Sequence, residues 1–350
     1  MEMAFAEARK VKGKTLPNPA VGAVLVKGGV VVGKGGTRPA GQAHAEIVAL
    51  QQAGGKAKGS TLYVTLEPCS HHGRTPPCVE AVIAAGVKRV VAAVADANPL
   101  VSGDGFRALE KAGIEVKVGL REEDARAFYE GFFFFIRHGR PKIILKVAQS
   151  LDGRINARPD EEISVTGPEA QAWTHSMRAR VDAIMVTGRT LRADNPDLTP
   201  RLVPGAAAPE ALVLSRRGPF PESAKLLASG REAKTVVISE SAEGLPAHVD
   251  HVRLGEFSSK TGVLDALAAL FAERMYHSVL VEGGRELWSL FLNAGKADSL
   301  YIMTAPRFLP QGDRWDDGLG ADFGKSLRFR NLTRFGNDFI AEFGRAEAAE

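Results

Sequence analysis

The stretch Leu66-Glu-Pro-Cys-Ser-His-His-Gly-Arg-Thr-Pro-Pro-Cys78 decides how the first part of this chain is read. It holds the only two cysteines among 350 residues, Cys69 and Cys78, with His71 and His72 between them. Three arrangements suit that composition: a disulfide, a self-contained metal knot, or two ligands of a site completed from elsewhere. A cytosolic chain keeps its thiols reduced, which disfavours the disulfide. The spacing of the cysteines exceeds that of a zinc knuckle. A closed knot would also need a short loop holding Gly73 and Pro76-Pro77 to turn four side chains inward.

A third ligand lies upstream, in Gly41-Gln-Ala-His-Ala-Glu-Ile-Val-Ala-Leu50. His44 and Glu46 sit two apart at the start of a predicted helix. Catalytic zinc takes three protein ligands and keeps one position for water. A hydrolytic deaminase adds a carboxylate that is not a ligand and that moves the proton. Zinc deaminases carry H-x-E followed by P-C-x-x-C. His44-Ala-Glu46 and Pro68-Cys69 match, but the second cysteine is displaced to position 78. H-x-E alone is weak, because a Glu in a first helical turn is commonly just a partner of the helix dipole.

Composition bounds the rest. Hydrophobic residues make up 45% and charged residues 25%, which is globular. The length favours two domains. The N-terminus shows no basic region followed by an apolar run, and no stretch reaches the length of a membrane helix. A soluble, cytoplasmic protein is therefore expected. A net charge of +4 suits small anionic ligands. No dense Lys/Arg run with interleaved aromatics appears, so nucleic acid is not an expected partner.

Along the chain, Ala20–Val26 and Val30–Gly33 read as a hairpin around Gly28-Gly29. Helix Ala43–Gln52, strand Ser60–Thr65, helix Cys78–Ala85, strand Arg89–Ala95, helix Gly105–Ala112, strand Ile114–Val118 and helix Glu122–Arg137 follow. That order implies a three-layer α/β domain over residues 1–140. His138-Gly-Arg-Pro141 breaks the pattern and marks a boundary. Residues 141–350 start a second series. Strands are expected at Lys142–Ala148, Ala183–Thr187, Ala211–Leu214, Thr235–Ile238, Ser278–Val281 and Ser299–Thr304. Helices are expected at Pro168–Arg180, Gly262–Arg274 and Glu286–Ala294, and loop over 313–325. Val281-Glu-Gly-Gly284 ends a strand and opens a helix, as a phosphate-binding turn does, without the G-x-G-x-x-G fingerprint. The residues alone reach as far as a possible nucleotide-binding α/β domain.

Thr15-Leu-Pro-Asn-Pro-Ala-Val-Gly22, His44-Ala-Glu46 and Glu67–Cys78 together resemble the riboflavin-biosynthesis pyrimidine deaminases of the cytidine deaminase-like superfamily. The long spacing between the cysteines is that family's own pattern. The resemblance implies His44, Cys69 and Cys78 as ligands of one zinc ion, and Glu46 as the catalytic proton shuttle. It further implies that Asn18 hydrogen-bonds the pyrimidine, and that His71, Arg74, Asp96 and Asn98 contact the substrate. An arginine offers a phosphate two parallel donors, and Asp96 and Asn98 follow a strand end, where α/β ligands sit. His72 is left as loop.

The later segments, Leu145–Ile155, Val165–Trp173, Met177–Arg201 and Val279–Ile302, resemble the riboflavin-specific reductase domain. The resemblance now covers nearly the whole chain. It implies a cytidine deaminase-like α/β/α domain followed by a dihydrofolate reductase-like α/β domain that uses NADPH. Two consecutive reactions are implied. The first is hydrolytic deamination of 2,5-diamino-6-(5-phosphoribosylamino)pyrimidin-4-one to 5-amino-6-(5-phosphoribosylamino)uracil. The second is reduction of the ribosyl group to ribityl. Ala148, Ser164, Thr190, Asp194, Ser215, Gly284, Arg285, Glu286 and Leu287 match cofactor-binding positions. Lys146, Glu162, Arg178, Leu198, Arg201 and Glu282 match substrate positions, with Arg178 and Arg201 as phosphate clamps. A homo-oligomer, dimer or tetramer, is expected.

The chain departs from the family at Ser164, where an aromatic is frequent, and at Glu162, where Ser is frequent. Arg189 replaces a small residue, Asn195 stands for a second Asp, and the chain starts abruptly in its first helix, as from a late start codon. Arg189 could block the cofactor site or reach the 2′-phosphate. An alternative is therefore a deaminase with a degenerate reductase domain. A third, from another class, is a nucleic-acid-editing deaminase, against which the mild charge and the second domain argue.

Overall fold

The structure is a computed structural model that describes residues 1–73, 75–97, 102–157, 164–255, 259–320 and 326–345. The chain divides into two compact units, Met1–Arg140 with Pro204–Ala207, and Pro141–Val203 with Ala208–Glu350.

The first unit runs α1 (Glu2–Val11), β1 (Gly22–Lys27), β2 (Val30–Gly36), α2 (Ala45–Ala53), β3 (Thr61–Val64), α3 (Cys78–Ala84), β4 (Arg89–Ala92), α4 (Asp104–Lys111), β5 (Glu115–Val118) and α5 (Glu122–His138). The β1–β2 hairpin turns at Gly28 and Gly29, whose φ of 56° and 79° are both left-handed. That pair gives the primed turn whose twist suits an antiparallel hairpin, and glycine adopts it without strain. The sheet order is β2-β1-β3-β4-β5, with β1 antiparallel to both neighbours and β3, β4 and β5 parallel. Ala4 and Ala8 of α1 lie over Gly22, while Ala49 of α2 lies over Gly33 on the opposite face, which makes three layers.

Helix α5 begins with Glu122, Glu123 and Asp124 and ends with Arg137 and His138, charges that complement its dipole. Gly139, with φ 66°, caps it. Its buried Phe128, Tyr129, Phe132 and Phe133 form one apolar stripe at helical spacing. The Tyr129 hydroxyl is sealed inside, 3.0 Å from the Ala20 carbonyl and 2.6 Å from Thr65 Oγ1. Thr65 Oγ1 also accepts the Gly22 N–H, so one polar knot joins α5, β1 and the end of β3.

The second unit contains β6 (Lys142–Ser150), α6 (Pro168–Arg178), β7 (Ala183–Thr187), α7 (Gly188–Asp194), β8 (Glu210–Leu214), β9 (Thr235–Ser239), β10 (Asp250–Arg253), α8 (Lys260–Glu273), β11 (Ser278–Val281), α9 (Arg285–Asn293), β12 (Ser299–Ala305), β13 (Leu327–Phe335) and β14 (Asp338–Arg345). Nine strands order as β10-β9-β8-β7-β11-β6-β12-β14-β13. Pairing is parallel from β10 to β12 and antiparallel through β14 and β13. β7 and β11 are buried along their whole length, as a covered parallel sheet requires. Buried Asp182 Oδ2 accepts the His277 and Ser278 N–H groups at 2.9 and 3.0 Å, and Asp298 Oδ2 accepts the Ile143 N–H at 2.9 Å. These bonds pin the starts of β11 and β6, so the strands' carboxyl ends lie side by side, where α/β ligands bind.

Four elements of this unit go beyond the sequence reading: α7, β10, β13 and β14. No helix of the described residues is long and apolar enough to cross a membrane.

Tyr129→Phe is expected to lower unfolding stability by about 1–2 kcal/mol, because it leaves buried acceptors without their donor. Urea denaturation of the two proteins measures it, and equal midpoints would contradict the assigned knot.

Candidate active sites

His44 is the N-cap of α2, and Cys78 is the first residue of α3. Cys69 lies in the loop between β3 and α3. His44 Nδ1 stands 3.5 Å from Cys69 Sγ and 3.3 Å from Cys78 Sγ. The ligand atoms of all three lie within 4.8 Å of one another. A tetrahedral zinc with bonds of ~2.0–2.3 Å spaces neighbouring N and S ligands by ~3.5 Å, so this donor set fits the ion. His44 Nε2 faces Thr75 Oγ1 at 3.4 Å, which orients the ring. The Cys78 N–H points at Cys69 Sγ at 3.3 Å. A hydrogen bond from Cys78, with His44 alongside, pulls the Cys69 thiol down to about 4, while Cys78 is pushed up. The direction favours the thiolate at Cys69, the state a zinc ligand needs. Both cysteines are free thiols, and the disulfide and the four-residue knot are set aside. His72 is exposed loop.

Glu46 occupies the first turn of α2 and is buried. Burial, with the charge at Cys69 behind it, pushes its carboxyl up to about 7. It shares a cavity of about 220 Å³ with His44, Cys69, Asn18, His71 and Asp96, walled by Phe132 and Ile136. The expected residues Arg74 and Asn98 lie outside the described residues.

Glu67 lines the same cavity and had no expected role. Its buried carboxylate accepts the N–H groups of Asp96 at 3.1 Å, Gly103 at 3.0 Å and Gly105 at 3.0 Å. It therefore fastens the segment that carries Asp96 to the segment that carries Cys69. The one hint in the sequence is a charge wedged between Leu66 and Pro68 at a strand end.

The second unit holds a larger cavity of about 690 Å³ at the ends of β6, β7 and β11. Lys146, Ala148, Ser164, Arg178, Thr190, Asp194, Leu198, Arg201, Glu282 and Gly284 all line it. Glu282 takes Arg178 Nε and Nη2 in a fork at 2.6 and 2.8 Å, and Lys146 Nζ at 3.3 Å. Burial would push the Glu282 carboxyl up, but Arg178 and Lys146 outweigh it and hold it at about 2. Arg178 Nη1 also donates to the Thr199 carbonyl at 3.3 Å. Leu198 holds φ 59° and Asn195 φ 40°, left-handed conformations that cluster at working sites. Ser164 does not empty the wall, since Gln171 Nε2 donates to its Oγ at 2.6 Å.

Ser215, Glu286 and Leu287 line a separate cavity of about 350 Å³. Arg189 is half exposed at that cavity, its guanidinium 3.3 Å from Asp313, so it does not plug the larger one. Arg285 lines neither cavity and pairs with Asp317 at 3.2 Å. Glu162 lies outside the described residues. Thr187, the N-cap of α7, accepts the Thr190 N–H at 3.1 Å. Gly284 packs against the Thr187 and Thr190 hydroxyls, where a Cβ would lie 3.2 and 3.3 Å from them. That narrow cradle at the start of α9 fits a phosphate-bearing cofactor lying on backbone.

A His/Cys/Cys centre beside a buried glutamate on one sheet, and a polar cleft at the strand ends of a parallel sheet on the other, define a two-unit deaminase and reductase. Residues 1–94 match the cytidine and deoxycytidylate deaminase zinc-binding region, and residues 141–341 match the RibD C-terminal domain. The chain is 42% identical over 351 residues to the riboflavin biosynthesis protein RibD of Aquifex aeolicus, covering 99% of this chain and 97% of that one. It superimposes on a diaminohydroxyphosphoribosylaminopyrimidine deaminase/5-amino-6-(5-phosphoribosylamino)uracil reductase of Thermotoga maritima with TM-score 0.75 and 33% identity, covering 99% and 97% of the two chains. Against Acinetobacter baumannii RibD the TM-score is 0.72 at 34% identity, covering 99% and 98%.

The chain belongs to the RibD family of riboflavin biosynthesis proteins. It is an enzyme with deaminase and reductase activities, and its cofactors are zinc and NADPH.

His175, buried on α6 at the larger cavity, has no partner for Nδ1 among the described residues. Burial, then the charges of Arg178 and Arg201, push its imidazole down to about 4. An unfolded histidine titrates near ~6.5. As pH falls from ~6.5 towards 4, the unfolded chain takes up a proton that the native one refuses. Stability from this group is whole above that window and is lost across it. His175→Gln is expected to show a smaller fall in Tm between pH 6.5 and 4, measured by calorimetry. Identical falls in both proteins would contradict the assignment.

Proposed function

We propose that residues 1–140 form the deaminase domain and residues 141–350 the reductase domain, acting in succession on one phosphoribosyl pyrimidine. The first reaction deaminates 2,5-diamino-6-(5-phosphoribosylamino)pyrimidin-4-one hydrolytically, and the second reduces the ribosyl group of the product to ribityl. The observation that carries this reading is the convergence of His44, Cys69 and Cys78 into one ligand set, with Glu46 lining the same cavity as His44 and Cys69.

His44, Cys69 and Cys78 would hold the zinc, which when bound would supply a water acidic enough to act at neutral pH. Glu46 receives the proton of the attacking water and passes it to the departing amino nitrogen, released as ammonia. Its burial keeps that proton from exchanging with solvent. Asn18, held between Pro17 and Pro19, and Asp96, fastened by Glu67, orient the pyrimidine. His71, which lines the cavity, binds the ribosyl phosphate; Arg74 and Asn98, outside the described residues, are the further substrate contacts that the family resemblance implies.

In the reductase domain NADPH supplies the hydride, a transfer that needs positioning more than a metal. Ala148, Ser164, Thr190, Asp194 and Gly284 line the cavity on the cofactor side, and Lys146, Leu198 and Glu282 on the sugar side. Arg178 already spends its fork on Glu282 and Thr199, so phosphate binding falls mainly to Arg201, which is exposed at the cavity. We place the enzyme in the cytoplasm, where cysteines used as metal ligands stay reduced. We propose a homo-oligomer, and the exposed Phe329 and Leu332 on β13 offer apolar surface for it.

Glu46→Gln is expected to keep its zinc, by elemental analysis, and to lose deamination at least ~100-fold. Loss of the metal would make Glu46 a ligand and overturn its role. A single purified preparation, given the diaminopyrimidine substrate, is expected to release ammonia first and then consume NADPH. Ammonia release with no NADPH oxidation would reject the second step.

A further inference from the structure

Helix α4 starts at a residue that cannot cap it. Its N-cap is Gly103, with φ 82°, which has no side chain to take the free N–H groups of the first turn. Glu67 supplies the acceptors from elsewhere in the chain. Its Oε2 takes the Gly103 N–H and its Oε1 the Gly105 N–H, both at 3.0 Å, at the positive end of the helix dipole. Oε2 also takes the Asp96 N–H at 3.1 Å. The Glu67 backbone is tied as well, its N–H donating to the Val94 carbonyl at 3.1 Å. Gly105 closes the joint: a Cβ there would lie 2.2 Å from the Pro68 carbonyl oxygen, so the start of α4 rests directly on the backbone of the metal loop.

On its other side Glu67 is joined through Pro68 to Cys69. The Cys69 carbonyl accepts the Val79 N–H at 3.2 Å, and its Sγ faces the Cys78 N–H at 3.3 Å. A run of short links therefore leads from the ligand set to the substrate side of the cavity: the Cys69 backbone, a proline of fixed φ, the Glu67 carboxylate and the Asp96 amide. Displacing Cys69 drags Glu67 with it. A buried carboxylate pulled off its donors is costly, so the donors move too.

We propose that Glu67 is a positioning residue that couples the metal ligands to the pyrimidine side of the deaminase cavity. With Cys69 fixed in the ligand set, Glu67 holds Asp96 and the start of α4 in place. With the ligands released, that side of the cavity loosens. The inference rests on the deaminase reading above. Glu67 acts through the backbone of Asp96, Gly103 and Gly105 and not on the reacting atoms. The coupling is reciprocal: whatever steadies Asp96 steadies the metal loop by the same free energy, so a bound pyrimidine also slows loss of the metal.

The test is amide hydrogen exchange on the full chain, in excess zinc and after zinc removal with 1,10-phenanthroline. Removal is expected to speed exchange at the Asp96, Gly103 and Gly105 amides at least ~10-fold and to leave β11 unchanged. Glu67→Gln replaces an acceptor oxygen with a donor that faces N–H groups. In excess zinc it is expected to show the fast exchange already, and zinc removal then adds less than ~2-fold. The same variant is expected to raise KM for the diaminopyrimidine at least ~10-fold, with deaminase kcat changed less than ~3-fold. Its NADPH oxidation with the deaminated intermediate is expected to stay unchanged. Gly105→Ala, which keeps the carboxylate but pushes α4 off Pro68, is expected to move KM the same way. If zinc removal leaves those amides as protected as before, or if Glu67→Gln lowers Tm with KM unchanged, the coupling is wrong while the deaminase reading stands. If the zinc-loaded unaltered chain releases no ammonia from the diaminopyrimidine, the deaminase reading fails and takes this inference with it.

Discussion

A carboxylate removed from water must be given donors, cations or a proton, and three glutamates of this chain meet that constraint in three ways. Glu67 is given donors: three backbone N–H groups converge on it from Asp96, Gly103 and Gly105. Glu282 is given cations, Arg178 and Lys146. Glu46 is given neither in full, and burial drives it towards the protonated form. The first solution is structural and ties loops together. The second keeps a permanent negative charge inside a cleft. The third leaves a group that can hold or release a proton, which is what acid–base catalysis requires. The layout of both sites follows from where these three residues sit, each close to a strand end or a helix start.

The first unit is legible in its sequence because its signals are local. The Gly28-Gly29 turn and the acidic start and basic end of α5 are all read within one element. The candidate metal ligands stand out for the same reason: His44 caps a helix start two residues before Glu46, and Cys69 and Cys78 lie nine residues apart in one short stretch. Glu67 is adjacent to these motifs yet escapes notice, because its partners are backbone amides 29 to 38 residues away, which no side-chain pattern announces.

The second unit is less legible, and its misses have specific causes. β13 is exposed along nearly all its length, so its residues Leu327–Phe335 lack the alternation that marks a half-buried strand. It is a strand because β14 pairs with it. α7 lasts seven residues, too short for a periodic pattern, and is held by the Thr187 cap. Lys146, Arg178 and Glu282 each stand out in the sequence as candidate substrate-side residues, and all three line the same cavity. Their engagement with one another does not stand out, since Arg178 and Glu282 are 104 residues apart.

That engagement changes what the cleft can do. Removing one partner of a buried, hydrogen-bonded ion pair strands the other charge, at a cost of about 3–5 kcal/mol, so the pair behaves as one unit. Arg178 cannot swing to a phosphate without stranding Glu282, because Lys146 at 3.3 Å is its only other cation among the described pairs. A phosphate entering this cleft would therefore need a cation that is not already committed to a buried carboxylate, and Arg201, exposed where it lines the cavity, is such a cation.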